Sequence, residues 1–175
     1  SRLPAISPPT HVFGNYVWTP DSSAPMCGCM TMRVRSADDR RREIQENATR
    51  LGIDEAFISD LVERFYARVR AHPLLGPVFE QEIRDQWPSH LAKLKDFWSS
   101  VSMNTGRYSG KPFPAHMKLT GITPAHFNIW LALFRLTLED LSDNPETVDY
   151  FMERANRIAR SFQLGMFELG NGPGI

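Results

Sequence analysis

The chain has 175 residues, of which 42% are hydrophobic, a length and composition that suit one domain with a sizeable core. Twenty basic side chains balance 20 acidic ones, whereas a nucleic-acid partner normally leaves a basic excess on the domain. No apolar run approaches the roughly 18 residues of a membrane span. The start also lacks the basic and then apolar pattern of a secretory signal. We therefore expect a cytoplasmic domain without a nucleic-acid or membrane partner.

Residues 1–35 differ in composition from the rest of the chain. They contain prolines separated by Ser, Thr and Gly, a pattern that does not support a packed core, so we expect a disordered N-terminal extension. This segment holds the two cysteines, Cys27 and Cys29. The Cys-Gly-Cys spacing is not that of a zinc or redox pair, and no second pair completes a zinc site. Two free thiols are the expected state.

From about residue 36 onward the hydrophobic pattern is helical. A first apolar stripe follows a helix that is predicted to begin near Asp54 and to end at His72-Pro73. A second stripe follows Trp87-Pro88, where the proline suits a first helical position. The stripes consist of Ile58, Val62, Phe65 and Val69, and of His90, Leu94, Phe97 and Val101.

Two further helices are predicted to open at Pro124, with Thr123 as N-cap, and at Pro145. Phe162 lies on the apolar face of the last one. No convincing strand is found, so the predicted fold class is all-α. The stretch 104–114 is a Gly/Pro-rich loop, and a short helical piece follows at 115–119. Helix bundles use short connections, so this long middle indicates that something packs against it.

The five histidines are candidate metal ligands, because neutral imidazole is a common iron ligand. His11 lies in the extension and His72 ends a helix. His116 lies on the short helical piece among apolar neighbours, and His90 lies on an apolar stripe. Taken alone, either is typical of an ordinary core or surface histidine, so residue types and spacing leave the alternatives open.

Five short stretches, in chain order, resemble the group III truncated haemoglobins. They are Phe65-Tyr66 with Leu74-Leu-Gly-Pro-Val-Phe79, Trp87-Pro-Ser-His90, Phe97-Trp98-Ser99, Tyr108-Ser-Gly-Lys-Pro112 before His116, and His126-Phe127 with Trp130 and Phe134. The resemblance covers about residues 52–168. It implies a truncated globin fold, a two-over-two helical sandwich around haem b. The implied division is an N-terminal helix or pre-globin segment at 36–52, a globin domain at 53–169 and a flexible C-terminus at 170–175.

The resemblance also implies roles for individual residues. His116 would be the proximal iron ligand, with Tyr66, His90 and Trp130 on the opposite, distal side: Tyr66 and Trp130 as hydrogen-bond donors and His90 at the gate. The candidates for walling the porphyrin are Phe79, Leu94, Phe97, Phe113, Met117 and Phe134. The candidates for the haem propionates are Arg107, Tyr108 and Lys111.

The family implies reversible binding of dioxygen, with nitric oxide and carbon monoxide as further ligands. Dioxygenase-like reaction with nitric oxide or peroxidase-like chemistry, supported by an unknown reductase, is a further expectation. Two alternatives stay open. One is a sensor or electron carrier in which His90 and His116 both bind iron. The other is a cofactor-free helical module whose arginine-rich segment near residues 33–42 recruits a partner.

Overall fold

The computed structural model describes residues 11–13, 16–20, 30–34, 36–117 and 119–169. The chain divides into two units between Glu43 and Ile44. In the first unit, strands β1 (His11–Phe13), β2 (Tyr16–Pro20) and β3 (Met30–Val34) form an antiparallel sheet in the order β1-β2-β3. Trp18 pairs with His11 on one side and with Met32 on the other.

None of these strands is predicted from the sequence. Their Val, Thr, Tyr and Trp residues favour extended backbone, but the surrounding prolines and glycines outweigh that signal in a composition argument. The predictions of a disordered extension at 1–35 and of a flexible tail at 170–175 fall largely on residues outside the described ranges. The Cys27 and Cys29 thiols lie outside them as well.

Within the described ranges, seven α-helices follow the sheet in chain order. They are α1 (Ala37–Arg50), α2 (Glu55–Ala71), α3 (Leu75–Ile83), α4 (Trp87–Met103), α5 (Pro112–His116), α6 (Pro124–Leu141) and α7 (Pro145–Gln163). A 3₁₀ turn, Arg84–Gln86, joins α3 to α4, and a π-helical segment, Leu164–Leu169, continues α7. The all-α prediction for the fold class is confirmed.

The helices start where the sequence supplies caps. The Asp54 carboxylate accepts a 2.7 Å hydrogen bond from the Phe57 backbone N–H at the start of α2. At the start of α6, the Thr123 backbone N–H donates to His126 Nδ1 at 3.2 Å, which completes a capping box. His126 is thereby a capping residue of α6.

The core of the second unit is built where α2 meets the last turns of α6 and the first turns of α7. The apolar stripe of α2 is buried, as predicted, and so are Phe134, Leu138 and Phe151. Ala48 and Leu51, which precede the predicted start of the globin domain, are buried in the same core. This end of the unit is therefore closed by its own side chains.

The other end of the unit is apolar but only half covered. The α4 stripe from His90 to Val101 is half-buried, while Trp98, Ser99 and Ser102 on the neighbouring face are buried. Trp130 in the first half of α6, Phe162 at the end of α7 and Met166 in the π-helical segment are half-buried too. An apolar region that protein atoms cover only in part is where a large apolar ligand fits.

No helix in the described ranges is both long enough and apolar enough to cross a membrane.

Candidate functional site

Tyr66 lies at the centre of an aromatic cluster on the distal side. It is on the buried face of α2, 5% exposed, and its ring centroid lies 4.8 Å from that of Phe65 and 5.9 Å from that of Phe79. Burial raises the pKa of its phenol well above the ordinary value, while the nearby Trp130 indole lowers it in part. Tyr66 therefore keeps its hydroxyl proton at physiological pH and can act as a donor.

The Trp130 indole lies close enough to the Tyr66 oxygen to act on the pKa of that phenol. An indole N–H can only donate, so a hydrogen bond between the two side chains runs from Trp130 to the Tyr66 oxygen and leaves the Tyr66 proton for another partner. Trp130 is held in place by Phe134, whose ring is nearly parallel to it, with centroids 5.4 Å apart, and by the edge of Phe65 at 5.3 Å. This placement favours a series of donors, Trp130 to Tyr66, over two independent donors.

His90 approaches the same cluster from α4. Its ring lies 6.0 Å from the Tyr66 ring and 6.0 Å from the Trp87 ring, edge-on to both. Burial lowers the pKa of His90, and the charges of His116 and Lys93 lower it further. The influence of His116 means that the two predicted haem-facing imidazoles lie within electrostatic reach of each other.

Trp87 is a distal residue to which the sequence assigns no role beyond the start of α4. It is 6% exposed, and the Arg70 guanidinium lies over its ring at 4.5 Å from the centroid. Arg70 is itself paired with Glu80 at 2.7 Å. Within the described part of the chain, no acceptor meets hydrogen-bond geometry with the buried Trp87 Nε1. The indole is nevertheless close enough to Glu80 to lower the pKa of that carboxyl, as Arg70 also does.

His116 is the last residue of α5. The structure records a 2.7 Å contact between its Nδ1 and the Pro112 carbonyl oxygen, four residues earlier. A carbonyl can only accept, so Nδ1 carries the proton and Nε2 keeps the lone pair. This is the arrangement in which metal-bound histidines are usually held. The imidazole face is covered by Phe162 of α7, with ring centroids 4.2 Å apart and an interplanar angle of 17°.

The predicted wall residues fall into two groups. Phe79, Leu94 and Phe97 pack in part against the core, and Phe113 and Met117 adjoin Gly165 of the π-helical segment. These five retain surface that a cofactor can cover. Phe134 differs, because it is fully buried between Trp98 and Trp130. It supports the distal tryptophan rather than facing a cleft.

Arg107, a predicted propionate residue, is engaged elsewhere. One guanidinium nitrogen donates to Glu55 Oε2 at 2.6 Å and to Ser99 Oγ at 2.7 Å, and Nε pairs with Asp96 at 3.3 Å. Ser99 is fully buried, and its hydroxyl donates a 2.9 Å hydrogen bond to Glu55 Oε1. We call this group of Arg107, Glu55, Ser99 and Asp96 the loop latch, since it ties the loop before α5 to α2 and α4.

The other two predicted propionate residues are not part of the loop latch. Tyr108 lies with its ring centroid 5.2 Å from that of Phe97, and its phenol packs so closely on Gly110 that a Cβ there would lie 2.5 Å from its oxygen. Burial raises the pKa of Tyr108. Lys111 is exposed.

Sequence reasoning missed three contributors: Phe162, Trp87 and the Glu55 carboxylate. Phe162 lies on the predicted apolar face of α7, but nothing in one sequence aligns that face with His116. Trp87 is adjacent to Pro88, so the sequence indicates only that it lies at the start of a helix. Glu55 is 52 residues from Arg107 along the chain, so only the fold brings the two together.

The residues present fit a haem group. His116 offers one oriented imidazole nitrogen, half-covered apolar side chains surround it, and the Tyr66–Trp130 donor series lies on the side of His90. A single axial imidazole, apolar faces and distal donors are the requirements of a haem pocket that binds gases.

Comparison with known proteins gives an independent result. No family model matches the chain. A group 3 truncated haemoglobin of Campylobacter jejuni is 34% identical over 121 residues, which cover 67% of this chain and 94% of the relative. A group 2 truncated haemoglobin of Bacillus subtilis is 25% identical over 114 residues, or 65% of this chain and 86% of the relative.

Solved structures agree with this assignment. The crystal structure of the group III truncated haemoglobin from Campylobacter jejuni matches with a TM-score of 0.63 and 33% identity, over 69% of this chain and 96% of that one. The truncated oxygen-avid haemoglobin of Bacillus subtilis matches with a TM-score of 0.54 and 26% identity, over 63% and 94%. The fold, the order of the motifs and these relatives together show that this chain belongs to the group III truncated haemoglobins.

Proposed function

We propose that this chain binds haem b through His116 and holds dioxygen on the opposite side under the Tyr66 hydroxyl. The observation that carries the proposal is the imidazole of His116: Nδ1 is held by the Pro112 carbonyl, so Nε2 is the nitrogen available to iron. Haem, when bound, supplies a ferrous iron with one open position for a diatomic gas.

The distal donors discriminate between ligands by charge. Dioxygen gains negative charge when it binds, whereas carbon monoxide stays nearly neutral, so a donor stabilises the first far more than the second. We propose that the Trp130 indole, which acts on the pKa of the Tyr66 phenol, donates to the Tyr66 oxygen and leaves the Tyr66 proton as the terminal donor. A chain of donors polarises its last member, which strengthens the bond that Tyr66 makes.

His90 is proposed to gate the pocket rather than to bind the iron. Its ring is held edge-on between Tyr66 and Trp87, and burial together with the His116 charge favours its neutral form. The second candidate is ligation of the iron by both histidines. The electrostatic influence of His116 on the pKa of His90 supports it, because the two imidazoles act on each other. Family membership favours either haem function over a cofactor-free helical module.

Tight retention of dioxygen suits chemistry better than bulk carriage. We propose that nitric oxide and carbon monoxide are further ligands, that nitrate formation from dioxygen and nitric oxide or peroxidase-like turnover is the reaction, and that a reductase partner returns the iron to the ferrous state. The group 2 truncated haemoglobin of Bacillus subtilis is oxygen-avid, and this supports tight retention of dioxygen in the present chain as well.

The test begins with haem titration of the purified protein. We expect a Soret band at about 400 nm with one haem per chain and a ferrous spectrum that changes with dioxygen. Stopped-flow mixing of the dioxygen-bound protein with nitric oxide should yield nitrate. A ferric spectrum of low-spin bis-imidazole type would instead support ligation by both histidines.

Two histidine variants identify the ligand. His116→Ala should lose haem or bind it only through His90, while His126→Ala should keep haem, since the His126 ring caps α6. The opposite outcome, haem loss in His126→Ala alone, would show that the proximal assignment is wrong.

A further inference from the structure

The end of α7 makes a contact with the proposed iron ligand to which the sequence patterns assign no role. The Phe162 ring is nearly parallel to the His116 imidazole, at a centroid distance of 4.2 Å and an angle of 17°. Face-to-face contact at this distance is direct van der Waals contact between the two rings. Phe162 covers a face of the imidazole, whereas a metal at Nε2 lies in the plane of the ring.

The Pro112 hydrogen bond and the Phe162 stack restrain different motions of His116. The 2.7 Å bond from Nδ1 to the Pro112 carbonyl sets the tautomer and fixes one edge of the ring. The stack opposes rotation about the Cβ–Cγ bond, because the imidazole must push Phe162 aside to turn. Helix α5 has only five residues, and so short a helix cannot hold a side chain rigidly without packing against a neighbour.

The surroundings of Phe162 favour a close approach of α5 and α7. The Phe113 ring of α5 lies 6.0 Å from the Phe162 ring. Three residues after Phe162, Gly165 lacks the Cβ that would overlap the Phe113 ring and lie 2.9 Å from the Met117 sulfur. This glycine is in the π-helical segment, a rare geometry that often accompanies functional sites. Phe113 of α5 and Met117 just after it thus pack against the end of α7 and the π-helical segment.

We propose that Phe162 is a positioning residue for the proximal ligand: its ring face sets the rotation of the His116 imidazole and thereby the direction of the Nε2 lone pair. The inference rests on the proposed function, in which His116 binds the iron. Loss of the aromatic face frees the imidazole to rotate, weakens the bond from Nε2 to iron and speeds haem loss.

The test uses Phe162→Leu in the full chain, with Phe127→Leu as the matched control. Phe127 is also half-buried and pairs with an aromatic of the π-helical segment, Phe167, at 6.2 Å, and none of its ring contacts is with His116. Phe162→Tyr keeps the ring face and serves as the rescue variant. The first readout is the iron–histidine stretching band in the resonance Raman spectrum of the ferrous protein, and the second is the rate of haem transfer to an excess of apomyoglobin.

Phe162→Leu should broaden the iron–histidine band, move it to lower frequency and speed haem loss about tenfold, the lower range for altered groups around a metal ligand. Phe127→Leu and Phe162→Tyr should leave the band at the wild-type position. An unchanged band in Phe162→Leu, or an equal shift in the Phe127→Leu control, would overturn the inference, because either result assigns Phe162 to packing alone.

The haem-free protein provides a measurement that needs no bound cofactor. The Phe162 ring current should move the His116 ring-proton NMR signals upfield, and Phe162→Met, which fills a similar volume, should return them to ordinary positions. Unshifted signals in the wild-type chain would also overturn the inference. The proposed function fails separately, if the wild-type chain shows no iron–histidine band or if His116→Ala retains that band at the wild-type frequency.

Discussion

The distal and proximal sides of the proposed haem site are built in different ways. Tyr66, His90 and Trp130 stand on helices of 17 or 18 residues, and Tyr66 is buried together with Phe65 and Trp87. His116 stands on a five-residue helix after a loop, against a half-buried Phe162. The distal side is therefore organised by the core of the protein, whereas the proximal side depends on a few local contacts and on the cofactor.

This difference assigns separate tasks to the two sides. Donors that select a ligand must stay in place when no ligand is bound, and a rigid helix frame provides that. A metal ligand on a short helix can adjust as the cofactor enters, because segments with few buried contacts open at low cost. We expect haem binding to order the proximal side far more than the distal side.

Removal of haem should produce the largest difference between the proximal and distal sides. Haem at about 100 times its dissociation constant stabilises the bound state by about 2.7 kcal/mol, so amide exchange in α5 should quicken about a hundredfold in the haem-free protein. Amides of α2 around Tyr66 should change much less. Hydrogen exchange with mass spectrometry measures both segments in one experiment, and equal loss of protection in α2 and α5 would remove the distinction between the sides.

Tyr66→Phe should affect the distal side alone. The change removes the terminal donor while the ring stays packed, and a hydrogen bond to a charged acceptor contributes about 1.5 kcal/mol, so dioxygen release should speed about tenfold. Carbon monoxide release should change little, since that ligand stays nearly neutral. Stopped-flow displacement measures both rates, and equal acceleration of both gases would indicate a packing defect instead.

Trp130→Phe should have a smaller effect, at most about twofold on dioxygen release. Trp130 acts through the Tyr66 oxygen, and cooperative polarisation strengthens a bond by only about 10–30%. The double variant should therefore release dioxygen no faster than Tyr66→Phe alone. Additive effects of the two substitutions would mean that Trp130 donates directly to the ligand and that the series arrangement is wrong.

The sequence predicts the distal side better than the proximal side. The stripe of α2, the helix start near Asp54, the cap at Thr123 and the all-α fold follow from local patterns, and the motif order indicates the distal residues. The stacking of Phe162 on His116 and the pairing of Glu55 with Arg107 join residues 46 and 52 positions apart, respectively. Contacts of that kind depend on how helices pack, which periodicity in one sequence does not specify.

The smallest predicted effect concerns the loop latch. Arg107→Met keeps the length of the side chain but removes its bonds to Glu55, Ser99 and Asp96. Partly exposed ion pairs contribute about 0.2–1 kcal/mol, so we expect haem loss to speed about threefold as the loop before α5 loosens. Dioxygen release should not change, because the distal donors stand on other contacts. The haem-transfer assay and stopped-flow displacement measure these two rates.

Arg135→Met is the matched control, since the Arg135 side chain is 48% exposed against 46% for Arg107 and pairs with Glu139 at 3.6 Å within α6. Glu55→Gln then decides between the two roles considered for Arg107. If the loop latch holds the proximal side, Glu55→Gln speeds haem loss as Arg107→Met does, because both break the same bond. If Arg107 instead binds a propionate, Glu55→Gln frees the guanidinium for that contact and haem loss slows or stays unchanged. The direction of the Glu55→Gln effect therefore separates a latch from a propionate clamp, independently of the size of the Arg107→Met effect.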